Sequence, residues 1–528
     1  MDKPENANAM PPRLVASSPK VERGNDKKLD SCEQPQGGRL DTFRLWTYTS
    51  LGDAVQIPTV SFDDMGPPGE DSRWESRRML HDYLKHRFPR AHTTLTRTTV
   101  NHFGLAFHWQ GSDPSVRPIL LTAHQDVTPV DPESEHDWIY PPFSGHYDGD
   151  RIWGRGSGDN KSGVIGILTA IETVIEAGFQ PSRTIVIAFG MDEERGGKDG
   201  GPAMSDYLRN TYGTDGFAML VDEGYGFQQR GGILFSTPAV AEKGAYNVRI
   251  DVSAPGGHPM IPPRHTSIGI LSSIIHTLES RPSPVQLNRD SPAFASLLCR
   301  AAYDETLPSH LRPLISRAQR HDTALRSLIQ ALLDLDSGYW SAVLGTTQAA
   351  DLIGGGMTVN TLPQAAWAIL DHRIADWSSI SQLQFHYRSL LQPLLSSHNL
   401  TLDAFGDGDL SQKYDVHLSN AYGVLLEPSP VSPTMGRKAW GLLSGVIKDS
   451  LAHTQKSVVV SPVLALGNTD TRHYWALTRY IFRYSHINEA DFQGGHGVNE
   501  SIRGEAFIEM IRFYGHLILG ADESDLEE

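Results

Sequence analysis

A chain of 528 residues with 39% apolar and 20% charged residues has the composition of a soluble globular protein, long enough for two domains or for one domain interrupted by another. Lys+Arg 46 against Asp+Glu 62 leaves a formal charge of −16, which excludes nucleic acid or an anionic membrane as main partner because either would repel it. Two cysteines, Cys32 and Cys299, exclude a disulfide framework and a thiolate metal centre and permit a cytoplasmic location.

The first forty residues hold no apolar stretch long enough for a signal peptide or a membrane span, and they read as a disordered leader. Asn-x-Ser/Thr tripeptides at Asn160 and Asn499 fall inside the motifs treated below and are poor evidence for secretion. From about Thr42 the pattern turns regular. Trp74, Met79, Leu80, Tyr83, Leu84 and Phe88 recur at helical spacing and predict an amphipathic helix over Arg73–Phe88. Pro118–His124 is a short apolar run of the kind a strand buried on both faces shows, and Gly163–Ala177 reads as a buried helix. Arg183–Phe189 and Phe217–Val221 are two further buried strands, ending respectively in Asp192-Glu193-Glu194 and Asp222-Glu223. Acidic residues at strand ends suit an open α/β sheet, where ligands bind beyond the carboxyl edge. Between about Gly244 and Phe405 the texture changes: Asn247–Val252 alternates, helical stretches follow, and Ala366–Leu370 is another strand, which together predict an inserted α+β domain. Ser457–Leu466 then reads as strand and Glu505–Leu519 as the closing helix. The division expected is a leader over 1–40, a first domain in two parts, 41–243 and 406–528, and an insertion over 244–405.

The chemistry-bearing residues sit at these strand ends. In His124-Gln125-Asp126 the two-residue period of a strand points His124 and Asp126 to one side, so that Asp126 can orient a metal-binding imidazole. Taken alone, one histidine among 22 is most often a core or surface residue. Arg155–Lys161 (RGSGDNK) is a tight turn before a helix, where Asp159 by itself would read as an N-cap. Asp192-Glu193-Glu194 concentrates carboxylates directly after a buried strand, where charge is costly unless paired or bound to metal; Asp222-Glu223-Gly224 repeats that placement.

The order His-x-Asp, Gly-Arg-Gly-x-x-Asp, Asp-Glu-Glu, Asp-Glu-Gly and a late His-Gly is far more specific than any one of its members. With it the chain, from roughly Thr42 onward, resembles the co-catalytic zinc metallopeptidases of the aminoacylase-1, carnosinase and glutamate carboxypeptidase family. Pro58–Trp74, His124–Val130, Trp138–Gly149, Gly256–Leu271, Gly467–Trp475 and His496–Glu500 look most like its carboxypeptidase S branch. The resemblance implies an α/β catalytic domain on a mixed sheet with an inserted α+β lid or dimerisation domain, and a possible homodimer. It implies two Zn²⁺ per chain, one on His124 and Asp222, the other on Glu194 and His496, with Asp159 bridging. Glu193 would be the general base, Asp126 the orienter of His124, and His258 the group that polarises the scissile carbonyl. Asn360 and Arg472 would contact the substrate, Arg472 through its carboxylate. Two departures stand out: Asn160 where many relatives carry Asp, and Pro259-Met260 after His258 where many carry Ser-Ser. Asp222 and Glu223 are adjacent carboxylates, and Glu223 is the alternative ligand.

The implied reaction is hydrolysis of an amide or peptide bond beside a free carboxylate in a small peptide or N-acyl-amino-acid substrate, by a carboxypeptidase or dipeptidase. An N-acyl-amino-acid hydrolase or synthase is the alternative. The other class is an inactive metal-binding scaffold, which a lost ligand or base would betray; none is missing here.

Overall fold

The computed structural model describes residues 38–406, 413 and 415–527. Most of the expected leader, and Cys32 with it, lies outside the described residues, and a helix, Gly38–Val55, opens the described chain.

A ten-stranded sheet forms the frame of the first domain. Ile119–His124 and Ile185–Gly190 are parallel neighbours, and Met219–Arg230 runs parallel to Ile119–His124 on its other side and to Ile481–Asn488 beyond. The first two strands are buried along their whole length, as runs such as Ile119-Leu120-Leu121 and Ile185-Val186-Ile187 require of strands covered on both faces. Ile119 and Leu121 face the core shared with helices Lys161–Glu176 and Gly504–Glu523 through Val164, Ile167, Phe507 and Tyr514. Leu120 and Val186 face the other way, against Met204 and Leu208 of helix Gly200–Tyr212. The expected α/β domain is present. The helix expected over Arg73–Phe88 begins with a short 3-10 turn, Ser72–Glu75, before Ser76–Arg87. The run 457–466 divides into Ser457–Val460 and Val463–Ala465, with Ser461-Pro462 between them, because proline cannot donate to a ladder.

A second, five-stranded sheet orders Ala349–Gly355, Ala365–Ile374, Gly244–Ser253, Val416–Asn420 and Leu402–Ala404. Val248, Ile250 and Val252 face helices Ser267–Glu279 and Ile380–Ser397 through Ile274, Leu278, Leu383 and Tyr387. The sheet passes the expected boundary at 405, because Val416–Asn420 pairs antiparallel with Gly244–Ser253. Within the insertion, helices Pro292–Tyr303, Leu311–Ala318, Asp322–Leu335 and Ser337–Leu344 build a separate core around Leu297, Leu311, Leu328, Leu332 and Trp340. No helix among the described residues is long and apolar enough to cross a membrane.

Candidate active site

Three parallel strands deliver the acidic motifs to one edge. His124 closes its strand in register with Gly190, so the chain leaving Gly190 sets Asp192-Glu193-Glu194 beside it, and Met219–Arg230 brings Asp222-Glu223 to the opposite flank. A four-stranded ribbon supplies the rest: Ser501–Arg503 pairs with Arg151–Trp153 on one side and with Phe492–Gln493 on the other. The loop carrying His496 is thereby laid against the glycine-rich turn that carries Asp159. At Gly158 a side chain would collide with Phe492 of that ribbon, and Gly156 takes a left-handed φ of 91° that favours glycine.

One carboxylate joins two groups of ligand atoms. His124 Nε2 lies 3.0 Å from Asp159 Oδ1, and His496 Nε2 lies 3.0 Å from Asp159 Oδ2. Glu223 Oε2 stands 3.4 Å from His124 Nε2, and Glu194 Oε2 stands 3.2 Å from His496 Nε2. His124, Asp159 and Glu223 thus form one group able to hold a metal ion, and Asp159, Glu194 and His496 a second. Asp222, named from the sequence as the ligand beside His124, is not in either group. Its Oδ1 accepts a 2.6 Å hydrogen bond from the Thr122 hydroxyl, and its Oδ2 is buried with no hydrogen-bond partner. The adjacent Glu223 stands in the group instead, with its Oε2 beside His124.

Buried hydrogen bonds fix these ligands from behind. The Asp126 carboxylate accepts the backbone N–H of Glu193 at 3.0 Å and of Glu194 at 3.1 Å, and lies 3.3 Å from His124 Nδ1. Burial pushes its pKa up, but His124 and the Arg77 guanidinium outweigh that and hold it below the ordinary carboxylate value. Asn160, one of the two departures, caps the helix at Lys161–Glu176 by accepting from Gly163 N–H, and its Nδ2 donates to Glu223 Oε2 at 2.8 Å. The cap that Asp159 alone would have supplied is therefore filled by its neighbour. Glu500, which carried no role in the sequence, is fully buried: Oε1 accepts the N–H groups of Gly156, Gly158 and Asp159, and Oε2 accepts from Arg155 at 2.7 Å. The only trace of this in the sequence is its place four residues after His496.

Burial raises the three glutamates of the cluster together. Burial and the Glu223 carboxylate raise Glu193 well above an ordinary glutamate. Burial raises Glu223 to about 7, and hydrogen bonds to Asp159 and Glu194 raise His496 to about 10. Arg472 Nη2 stands 3.7 Å from Glu193 Oε1, with its Nε donating to Thr469 O at 3.0 Å. His258 and Asn360 are exposed in the insertion, on loops tied together by the Gly257–Leu362 bridge. The structure does not bring these two into the cluster.

The donor set fits a pair of metal ions. It comprises two imidazole nitrogens and three carboxylates, which suits a borderline ion such as zinc. Glu194 Oε1 is buried with no hydrogen-bond partner, a desolvated acceptor that a cation would satisfy.

Residues 120–520 match the sequence profile of peptidase family M20/M25/M40. Carboxypeptidase S of Saccharomyces cerevisiae is 34% identical over 492 residues, covering 91% of this chain and 85% of that protein. The human N-fatty-acyl-amino acid synthase/hydrolase PM20D1 is 31% identical over 498 residues, covering 91% and 88%. Among solved structures, an M20 family metallo-carboxypeptidase from Sulfolobus solfataricus superposes with a TM-score of 0.60 at 16% identity, over 89% of this chain and 98% of that one.

Proposed function

The chain belongs to peptidase family M20/M25/M40, and from that premise we propose that it is a two-zinc exopeptidase cutting an amide bond beside a free carboxylate. The observation that carries the reading is the single Asp159 carboxylate facing His124 with one oxygen and His496 with the other. In this reading His124, Asp159 and Glu223 hold one ion, and Asp159, Glu194 and His496 the other. The ions, when bound, supply Lewis acidity that activates water at neutral pH and polarises the scissile carbonyl.

The protein's own groups do the rest. Glu193, made more basic by its buried, acidic surroundings, takes the proton of the attacking water and carries it to the leaving amine. Asp126 holds the backbone of Glu193 and Glu194 so that base and ligand keep their spacing. Arg472 offers a planar pair of donors to the substrate carboxylate next to that base. His258 and Asn360 reach the substrate from the insertion, which acts as a lid, and His258 stabilises the developing oxyanion.

A second reading has a specific support: the PM20D1 relative covers the chain as fully as carboxypeptidase S does, which favours N-acyl amino acids as alternative substrates, cleaved or condensed. Dipeptides and N-acyl amino acids incubated with the zinc-loaded protein and read by mass spectrometry decide between the two, since each names the bond that breaks. A homodimer fits the lid's outer strand, Ala349–Gly355. It ends the five-stranded sheet and leaves Leu352 and Ile353 exposed, the kind of sheet edge that proteins commonly cover. Light scattering on the wild type and on Ile353→Lys tests it: a wild-type monomer removes it.

A further inference from the structure

The catalytic sheet passes into the lid sheet almost without a linker. The strand Ala239–Glu242 ends one residue before Gly244–Ser253 begins, so Lys243 alone separates them. Lys243 is fully buried; its Nζ donates to Ala342 O and Gly345 O at 2.8 and 2.7 Å, closing the end of helix Ser337–Leu344. A crossing this short, anchored on both sides, makes the position of the lid a matter of a few backbone angles around residues 242–244.

The segment that carries Arg472 is bolted to this crossing. Glu242 Oε1 accepts Thr469 N–H at 2.8 Å, and its Oε2 accepts from the Thr471 hydroxyl and from Arg483 Nη2, each at 3.0 Å. These bonds belong to the catalytic side. Asn468 makes the others: its Nδ2 donates to Lys243 O at 2.6 Å, and its Oδ1 accepts from Arg373 Nη1 at 3.1 Å. Arg373 belongs to the lid strand Ala365–Ile374 and stands opposite Ala245 in register, just past the crossing. The Asn468 side chain therefore touches the pivot with one atom and the lid with another. One residue on, Thr469 O accepts both the backbone N–H and the Nε of Arg472.

We propose that Asn468, held by Arg373, is a positioning residue that makes the grip of Arg472 on the substrate carboxylate depend on where the lid stands. The inference rests on the reading of Arg472 as the carboxylate clamp and adds to it a physical route: lid strand to Arg373, Arg373 to Asn468, Asn468 to the Thr469 turn, and that turn to the guanidinium. Carboxylate recognition and lid position then share one equilibrium, and an acid that engages Arg472 draws the lid in.

Calorimetric titration of the zinc-loaded full chain with L-leucine and with L-leucinamide tests it, because the two probes differ in the carboxylate. The wild type is expected to prefer leucine, Arg472→Ala to lose that preference, and both Asn468→Ala and Arg373→Ala to lose about threefold to tenfold of it, the equivalent of one hydrogen bond. Leucinamide binding and zinc content stay at wild-type values in both, and Arg373→Lys recovers part of what Arg373→Ala loses. Lowered thermal stability with an unchanged preference in Asn468→Ala and Arg373→Ala overturns the coupling and leaves the clamp standing. A wild type or an Arg472→Ala variant that shows no change in preference attributable to the carboxylate overturns the clamp, and the coupling with it.

Discussion

The cluster of ligand atoms at the edge of the catalytic sheet and the loops of the insertion that carry His258 and Asn360 are held in opposite ways. His124, Asp126 and Glu500 are essentially without solvent exposure and are fixed by strand register and by hydrogen bonds from buried backbone groups. On the lid, His258 and Asn360 lie on exposed loops, near Met357 and Val359, whose exposures reach 99% and 100%. The first set is organised by folding itself, before any ligand arrives. In the proposed mechanism the second set reaches its place only as the lid closes, so substrate binding supplies the energy that positions it.

Variants can break that contrast. Glu193→Ala removes the base from the prearranged edge, and its expected cost is about 10²-fold to 10⁴-fold in kcat with metal content unchanged, measured by steady-state kinetics and elemental analysis. His258→Ala, on the lid, is expected to lower kcat on the order of 10²-fold, again at full metal content; metal lost from this variant would place His258 in the cluster and erase the contrast. Glu223→Ala is expected to leave about one zinc per chain where Asp222→Asn keeps about two, and the reverse pattern would restore Asp222 as the ligand.

Acid sharpens the contrast more gently. In the metal-free protein His496 is raised to about 10, from an ordinary value of 6.5, by Asp159 and Glu194, so at neutral pH it carries a proton that an incoming ion must displace. Zinc affinity therefore rises with pH up to that value and falls as pH drops, by up to about tenfold per pH unit for each proton displaced. Titrations in buffers of different ionisation enthalpy should register this proton release; its absence would mean that His496 binds no metal.

Much of this edge was legible in the sequence. Buried apolar strands ending in charge announced where His124 and the acidic motifs lie, and the order of motifs carried the rest. The choice between Asp222 and Glu223 was not legible, for a physical reason. In Met219–Arg230 the first four residues are all buried, so no apolar-polar alternation marks which side of the strand faces the site. Asp222 bonds Thr122 of the neighbouring strand while Glu223 stands beside His124, and such cross-strand partners leave no trace in local spacing. The limit of the insertion escaped for the same reason: Val416–Asn420 joins the lid sheet through pairing with a strand more than a hundred and fifty residues earlier. Glu500 carried no role of its own in the sequence, because most of its partners are backbone N–H groups, and these have no sequence signature.

That last residue also makes the Asp159 turn depend on a distant stretch of the chain. The turn bearing Asp159 lies more than three hundred residues before the ribbon after Ile481–Asn488, which supplies both the carboxylate that gathers its N–H groups and the histidine that shares Asp159. A chain cut short before this ribbon would lose Glu500 and His496 together, and with them both the clasp on the Asp159 turn and part of the second group of ligand atoms.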